Sequence, residues 1–117
     1  MLDCDNDILD IMAQNASCPT DVLQTILEKI SPDKDRYIKC HVAENPNISE
    51  KNMIELSKDK DSGVRDSVAK NPNINLTLLE QLANDIKTSV RHNVANHKRT
   101  TNKILEKLSK DPESFVR

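Results

Sequence analysis

The sequence predicts an all-α protein in which a two-helix unit is repeated along the chain. Two observations lead to this fold class: sets of residues recur every 26 residues, and the 117-residue chain contains a single glycine. A period of this length is typical of stacked helical units, each of which buries its apolar face against the next. The scarcity of glycine argues against a β-rich fold with many tight turns. We therefore expect an α-solenoid of about four units, similar in architecture to HEAT and armadillo repeats.

Each set of residues that keeps the 26-residue step is called a ladder below, and the ladders share one register. They comprise Ile38-Lys39, Val64-Arg65, Val90-Arg91 and Val116-Arg117; Val42-Ala43, Val68-Ala69 and Val94-Ala95; Ile30, Leu56, Leu82 and Leu108; Asp33, Asp59, Asp85 and Asp111; and Ser49, Asn75 and Thr101.

The first helix of a unit is predicted to begin after an aspartate and to end before a proline. Val64, Val68 and Ala69 then lie on one face, at helical spacing. Asn71-Pro72 ends the helix, because the residue before a proline is displaced from the helical region. Lys98 replaces this proline in the third unit.

The second helix is predicted to start at Ser49, Asn75 or Thr101, whose side-chain oxygens can cap a free backbone N–H group. We expect each of these short helices to bury two apolar residues, and to be stable only when packed on its neighbours. The pairs are Met53 and Leu56, Leu79 and Leu82, and Leu105 and Leu108.

The length corresponds to one domain, residues 1–117. The ladders divide it into a divergent capping unit at 1–37, repeats at 38–63, 64–89 and 90–115, and a C-terminal stub at 116–117. In the first unit, Met12 to Asn15 match Val42 to Asn45 at a step of 30 residues. An atypical terminal unit is typical of a cap.

This register resembles the leucine-rich repeat variant family, whose unit reads roughly V-R-x-x-V-A-x-N-P, a loop, then L-x-x-L-x-x-D. The matching residues here are Val64-Arg65, Val68-Ala69, Asn71-Pro72, Leu79, Leu82 and Asp85. The resemblance implies a right-handed superhelix in which α-helices alternate with short or 3₁₀ helices, and it implies little about function. One type of member carries an iron–sulfur cluster held by closely spaced cysteines, a set that this sequence lacks.

The composition indicates which classes of partner and which cell compartment to expect. The net charge of −2 gives no overall attraction to nucleic acid or to an anionic membrane. The cysteines are three in number, Cys4, Cys18 and Cys40, and the sequence shows neither a signal peptide nor an apolar run of membrane-spanning length. We expect a cytoplasmic protein that does not bind membranes.

The basic ladder, Lys39, Arg65, Arg91 and Arg117, has two interpretations. Its guanidinium groups could face a phosphate or carboxylate partner. They could instead pair with the aspartate ladder, which is favoured because both ladders define the repeat. The asparagine ladder of Asn15, Asn45 and Asn71, with His97 in the last place, is expected to satisfy backbone groups at helix ends.

A basic patch is predicted in the third unit, because residues 86–105 contain no acid. It could bind an anion or an acidic partner, or it could be an ordinary solvated surface. Its members are Lys87, Arg91, His92, Lys98, Arg99 and Lys103.

Neither a metal site nor a catalytic site is expected. Cys40, Asp66 and His92 share one repeat position, but spacing by repeat separates ligands instead of converging them on one ion. No pairing of a nucleophile with a base is evident, so we expect no cofactor and no enzymatic activity.

The leading hypothesis is a protein-binding scaffold, acting as an adaptor or an inhibitor. The alternative is a weak, phosphate-directed nucleic-acid-binding module that uses Arg65, Arg91, Lys98, Arg99 and Lys103. Phe115 and Val116 would cover the last helix only partly. This C-terminal edge is therefore expected either to pair with a partner, including a second copy in a homodimer, or to fold back as a modest cap.

Overall fold

The computed structural model describes residues 11–29 and 36–111, and the regular elements in these two ranges are all α-helices. Residues 11–14 are helical, and seven further helices follow. The predicted all-α class is confirmed. The helices are α1 (Thr20–Lys29), α2 (Arg36–Glu44), α3 (Glu50–Ser57), α4 (Ser62–Lys70), α5 (Leu76–Leu82), α6 (Thr88–Asn96) and α7 (Asn102–Leu108).

The first helices of the three regular units are α2, α4 and α6, and each has nine residues. Helix α4 begins directly after Asp61, whose carboxylate accepts a hydrogen bond from the backbone N–H of Gly63. Lys87 occupies the corresponding place before α6 and provides no side-chain cap. There, Asp85 accepts from the backbone N–H of Lys87 and holds the start of the helix.

The second helices, α3, α5 and α7, begin where the sequence predicts. The side chains of Ser49, Asn75 and Thr101 accept from backbone N–H groups three residues later, at 3.2, 2.8 and 3.3 Å. These helices contain eight, seven and seven residues. Their short length agrees with the expectation, but they are α-helices, so the 3₁₀ geometry implied by the family resemblance is wrong for them.

The core is formed by side chains of both the first and the second helices, and it follows the predicted ladders. Val64, Val68 and Ala69 are fully buried. Their equivalents in α2 and α6 are also buried, except for Ala95, which is partly exposed. The prediction that Leu105 is buried is wrong: its side chain is 43% exposed, whereas Ile104 and Leu108 of the same helix are buried. Its equivalents Met53 and Leu79 lie inside the core, whereas the described residues include no further helix that could cover Leu105.

Helices at equivalent positions of successive units are neighbours. Helix α4 packs against α2 on one side and α6 on the other, and α3 packs against both α4 and α5. The principal-axis extents are 49 × 23 × 18 Å. No helix within the described ranges is long and apolar enough to cross a membrane.

Asn52 is an exception within the core. It is only 6% exposed, and its Nδ2 atom has no hydrogen-bond partner among the described residues. The equivalent residues in the next units are Leu78 and Ile104, both buried. An amide is therefore buried at a position that the repeat fills with an aliphatic side chain.

We expect Asn52→Leu to raise the free energy of unfolding by about 1–2 kcal/mol, because a buried donor without a partner costs stability. Urea denaturation of the two proteins measures the change. Leu78→Asn is the matched reverse substitution and should destabilise. A lower stability for Asn52→Leu would mean that the amide has a partner or that leucine does not fit.

Candidate binding surface

The asparagine ladder joins successive units. Nδ2 of Asn45 donates to the carbonyls of Ala13 and Asn15, both at 2.8 Å. One unit later, Nδ2 of Asn71 donates to Ala43 and Asn45 at 2.7 and 2.9 Å. Carbonyls at a helix end have no partner within the helix, so each asparagine satisfies those of the preceding unit. This role is the one expected from the sequence.

His97 replaces asparagine at this place and reproduces part of the pattern. The backbone N–H of Arg99 donates to Nδ1 at 3.0 Å, so the ring proton lies on Nε2, which donates to the Asn71 carbonyl at 2.7 Å. A neutral imidazole has one N–H group, whereas the asparagine amide has two. The counterpart of the bond from Asn71 to Ala43 is therefore lost in this unit.

A second inter-unit ladder was missed in the sequence, although the 26-residue step contains it. Nδ2 of Asn47 donates to the carbonyl of Ala16 at 2.6 Å, and Nδ2 of Asn73 donates to that of Pro46 at 2.8 Å. Arg99 occupies the same position in the next unit, and its Nη1 donates to Ile74 at 3.1 Å. The change from asparagine to arginine hides this ladder from comparison by residue type.

The basic ladder pairs with the aspartate ladder, as the structural interpretation predicts. Nε and Nη2 of Arg65 bind the two carboxylate oxygens of Asp85 at 2.7 and 3.2 Å. Arg91 binds Asp111 in the same way, at 2.6 and 3.3 Å. Nζ of Lys39 lies 2.6 Å from Asp59. Arg117 lies outside the described residues.

Each of these arginines also holds the loop that precedes its helix. Nη1 of Arg65 donates to the Asp59 carbonyl at 2.7 Å, and Nη1 of Arg91 donates to that of Asp85 at 2.8 Å. The side chains of Arg65 and Asp85 are only 12% and 8% exposed. One arginine thus links the loops at the two ends of a unit.

The pKa values follow from these contacts. The hydrogen bonds to Asp85 raise the pKa of Arg65 above its ordinary value. Burial by itself would raise the pKa of Asp59, but the hydrogen bonds from Lys39 and from the Asp61 backbone outweigh it and lower the pKa. Both shifts favour the charged forms, and so the ion pairs.

The structure divides the predicted basic patch among several environments. Lys87 is exposed at the start of α6, and Arg91 is bound to Asp111. His92 lies on α6, with its Nε2 atom 2.9 Å from Nδ2 of Asn96. The exposed Lys98 and Arg99 follow the other end of that helix, and Lys103 lies on α7.

A groove of about 370 Å³ runs between the end of α4 and the second half of α6. Lys98 is the one residue of the predicted patch that lines it, and Lys70 joins it from α4. Lys103 instead lines a separate depression of about 200 Å³ beside α7. The groove residues are Ala69, Lys70, Pro72, Asn93, Asn96, His97 and Lys98.

Cys40, Asp66 and His92 lie at one position of three successive first helices. Burial raises the pKa of the Cys40 thiol, which disfavours the thiolate that a metal would need. Asp66 accepts a hydrogen bond from Nδ2 of Asn93. In the described ranges, no group of three or more histidine, cysteine, aspartate or glutamate side chains is placed to hold a metal ion.

Phe115 and Val116, the predicted C-terminal edge, lie outside the described residues. Comparison with family models, with curated proteins and with solved structures finds no match to this chain.

The partly buried ion pair between Arg65 and Asp85 should contribute more to stability than an exposed ion pair does. We expect Arg65→Ala to lower the free energy of unfolding by about 3 kcal/mol, because it leaves the Asp85 carboxylate without its charged partner and the Asp59 carbonyl without its side-chain donor. Arg36→Ala is the matched control, since the Arg36 and Asp61 side chains are 49% and 29% exposed. It should cost less than about 1 kcal/mol. Equal losses in denaturant titrations would mean that the Arg65 pair is not specially stabilising.

We expect His97→Asn to raise the free energy of unfolding by about 1 kcal/mol, since the amide can add a second bond to the preceding helix end. His97→Ala should lower it by about 1–3 kcal/mol, because it removes the bridge between the units. Thermal or urea unfolding measures both changes. If the asparagine and alanine variants are equally stable, position 97 does not join the units as the geometry indicates.

Proposed function

We propose that this chain is a non-enzymatic scaffold that binds another protein, with its units stacked as a right-handed α-solenoid of the leucine-rich repeat variant type. The observation that carries the proposal is the repeated inter-unit hydrogen bonding by Asn45, Asn71 and His97. Bonds of this kind place successive units in one register. Surface residues then recur at regular intervals along an elongated face, which suits contact with another macromolecule.

The charge distribution favours a protein partner over nucleic acid. Arg65 and Arg91, two of the five cations in the nucleic-acid hypothesis, are bound to Asp85 and Asp111. Among the described residues, Tyr37 is the only phenylalanine, tyrosine or tryptophan. It lies on α2, two units away from the predicted basic patch. Stacking of bases on aromatic rings, the usual basis of single-strand binding, has no support near that patch.

An enzymatic role has less support. The aspartates of the ladder serve the repeat, since Asp59 is bound by Lys39 and Asp85 by Arg65. The cytoplasmic location and the pairing of two copies through the C-terminal edge stay predictions.

The experiment is capture of partners from a lysate of the native host on the tagged full chain, with and without nuclease, followed by mass spectrometry. We expect at least one protein to be retained after nuclease treatment and to bind the chain again when both are purified. Partners that all disappear with nuclease would contradict the scaffold proposal and would support phosphate-directed binding to nucleic acid.

A further inference from the structure

We infer that the groove between α4 and α6 binds an extended acidic segment of a partner protein, with carboxylates of that segment contacting Lys70 and Lys98. The inference rests on the proposed scaffold function and specifies the chemistry of the partner. Both lysines line the groove and are exposed.

The two lysines are not used by the protein itself. Neither ammonium group forms a hydrogen bond or an ion pair with a described residue, in contrast to Lys39, which is bound to Asp59. An unpaired, exposed cation retains its full capacity for a charge-assisted hydrogen bond to a carboxylate.

The repeat also does not account for a lysine at position 98. Pro46 and Pro72 occupy its position in the preceding units. Its neighbours His97 and Arg99 also replace ladder asparagines, but each retains an inter-unit hydrogen bond, to Asn71 and Ile74. Lys98 makes no such bond. The substitution therefore adds a positive charge to the groove without serving the contact between units.

The remaining lining fits a peptide. No carboxylate is among the lining residues, and the carboxylate of Asp66, one helical turn before Lys70, is bound by Nδ2 of Asn93. Ala69 and Pro72 provide apolar surface, and the side-chain oxygens of Asn93 and Asn96 can accept hydrogen bonds from peptide N–H groups. A volume of about 370 Å³ lies within the usual range of ligand sites and accommodates a short segment.

Nucleic acid fits this groove less well. The lining contains no aromatic side chain on which a base could stack. Two cations can neutralise only two phosphates, which gives weak binding.

The test uses a fluorescein-labelled decapeptide of alternating glutamate and alanine, titrated with the full chain and followed by fluorescence anisotropy. The same peptide with glutamine in place of glutamate controls for charge. We expect Lys98→Glu and Lys70→Glu each to weaken binding about tenfold or more, because each replaces an attraction by a repulsion. Lys51→Glu makes the same charge change at an exposed site on α3, outside the groove, and should bind nearly as the natural chain does.

Lys98→Pro restores the residue that the repeat uses in the preceding units, and so removes the charge with little risk to folding. It should also weaken binding. The inference is overturned if the natural chain does not distinguish the glutamate peptide from the glutamine peptide. Equal weakening by Lys51→Glu and Lys98→Glu would overturn it as well, since binding would then reflect net charge alone.

Two further results separate this inference from the scaffold proposal. If Lys98→Glu still captures the nuclease-resistant partner at the natural level, the scaffold proposal stands and the groove is not its site. If labelled oligothymidylate binds more tightly than the peptide and Lys98→Glu abolishes that binding, the groove takes phosphate and the inference is wrong.

Discussion

The rest of this structure depends on the hydrogen bonds that Asn45, Asn71 and His97 donate to backbone carbonyls at the end of the first helix of the preceding unit. Helices of seven to nine residues are too short to be stable alone. Their last carbonyls have no partner within the helix. The amide of Asn71 hydrogen-bonds the carbonyls at the end of α2, and it thereby also fixes where α4 packs against α2. The apolar ladders can interlock only once this register is set.

The arginine–aspartate pairs act on the opposite ends of the same helices. Arg65 lies near the start of α4 and holds Asp59 before that helix and Asp85 after α5, so the two ends of a unit are kept at a fixed distance. Charges buried in this way are costly unless they are paired and hydrogen-bonded, and Arg65 donates to both carboxylate oxygens of Asp85 and to the Asp59 carbonyl. The repeat-defining charges therefore serve the inside of the molecule, and the proposed binding is assigned to residues outside the ladders.

The sequence alone was sufficient for the ladders, the N-caps and the all-α class, since each rests on local periodicity and capping chemistry. It was not sufficient for the basic patch. Arg91 and Lys98 are close in sequence, but Arg91 lies in the first half of α6 and Lys98 follows the end of that helix, so the rise of about 1.5 Å per helical residue separates them. Leu105 was misassigned because its exposure depends on a neighbouring helix. The ladder of Asn47, Asn73 and Arg99 is not evident in the sequence because Arg99 differs in residue type and donates to a different carbonyl of the preceding unit.

Departures from the repeat fall into two physical kinds. His97 and Arg99 change the residue but keep a hydrogen bond to the preceding unit, so they are substitutions that the fold absorbs. Asn52 and Lys98 keep no such bond: the first buries an unpaired amide, and the second adds an unpaired charge at the surface. A buried departure costs stability, whereas an exposed one costs little and changes what the surface can bind. For this reason Lys98, and not the more numerous ladder arginines, is the residue at which recognition is best tested.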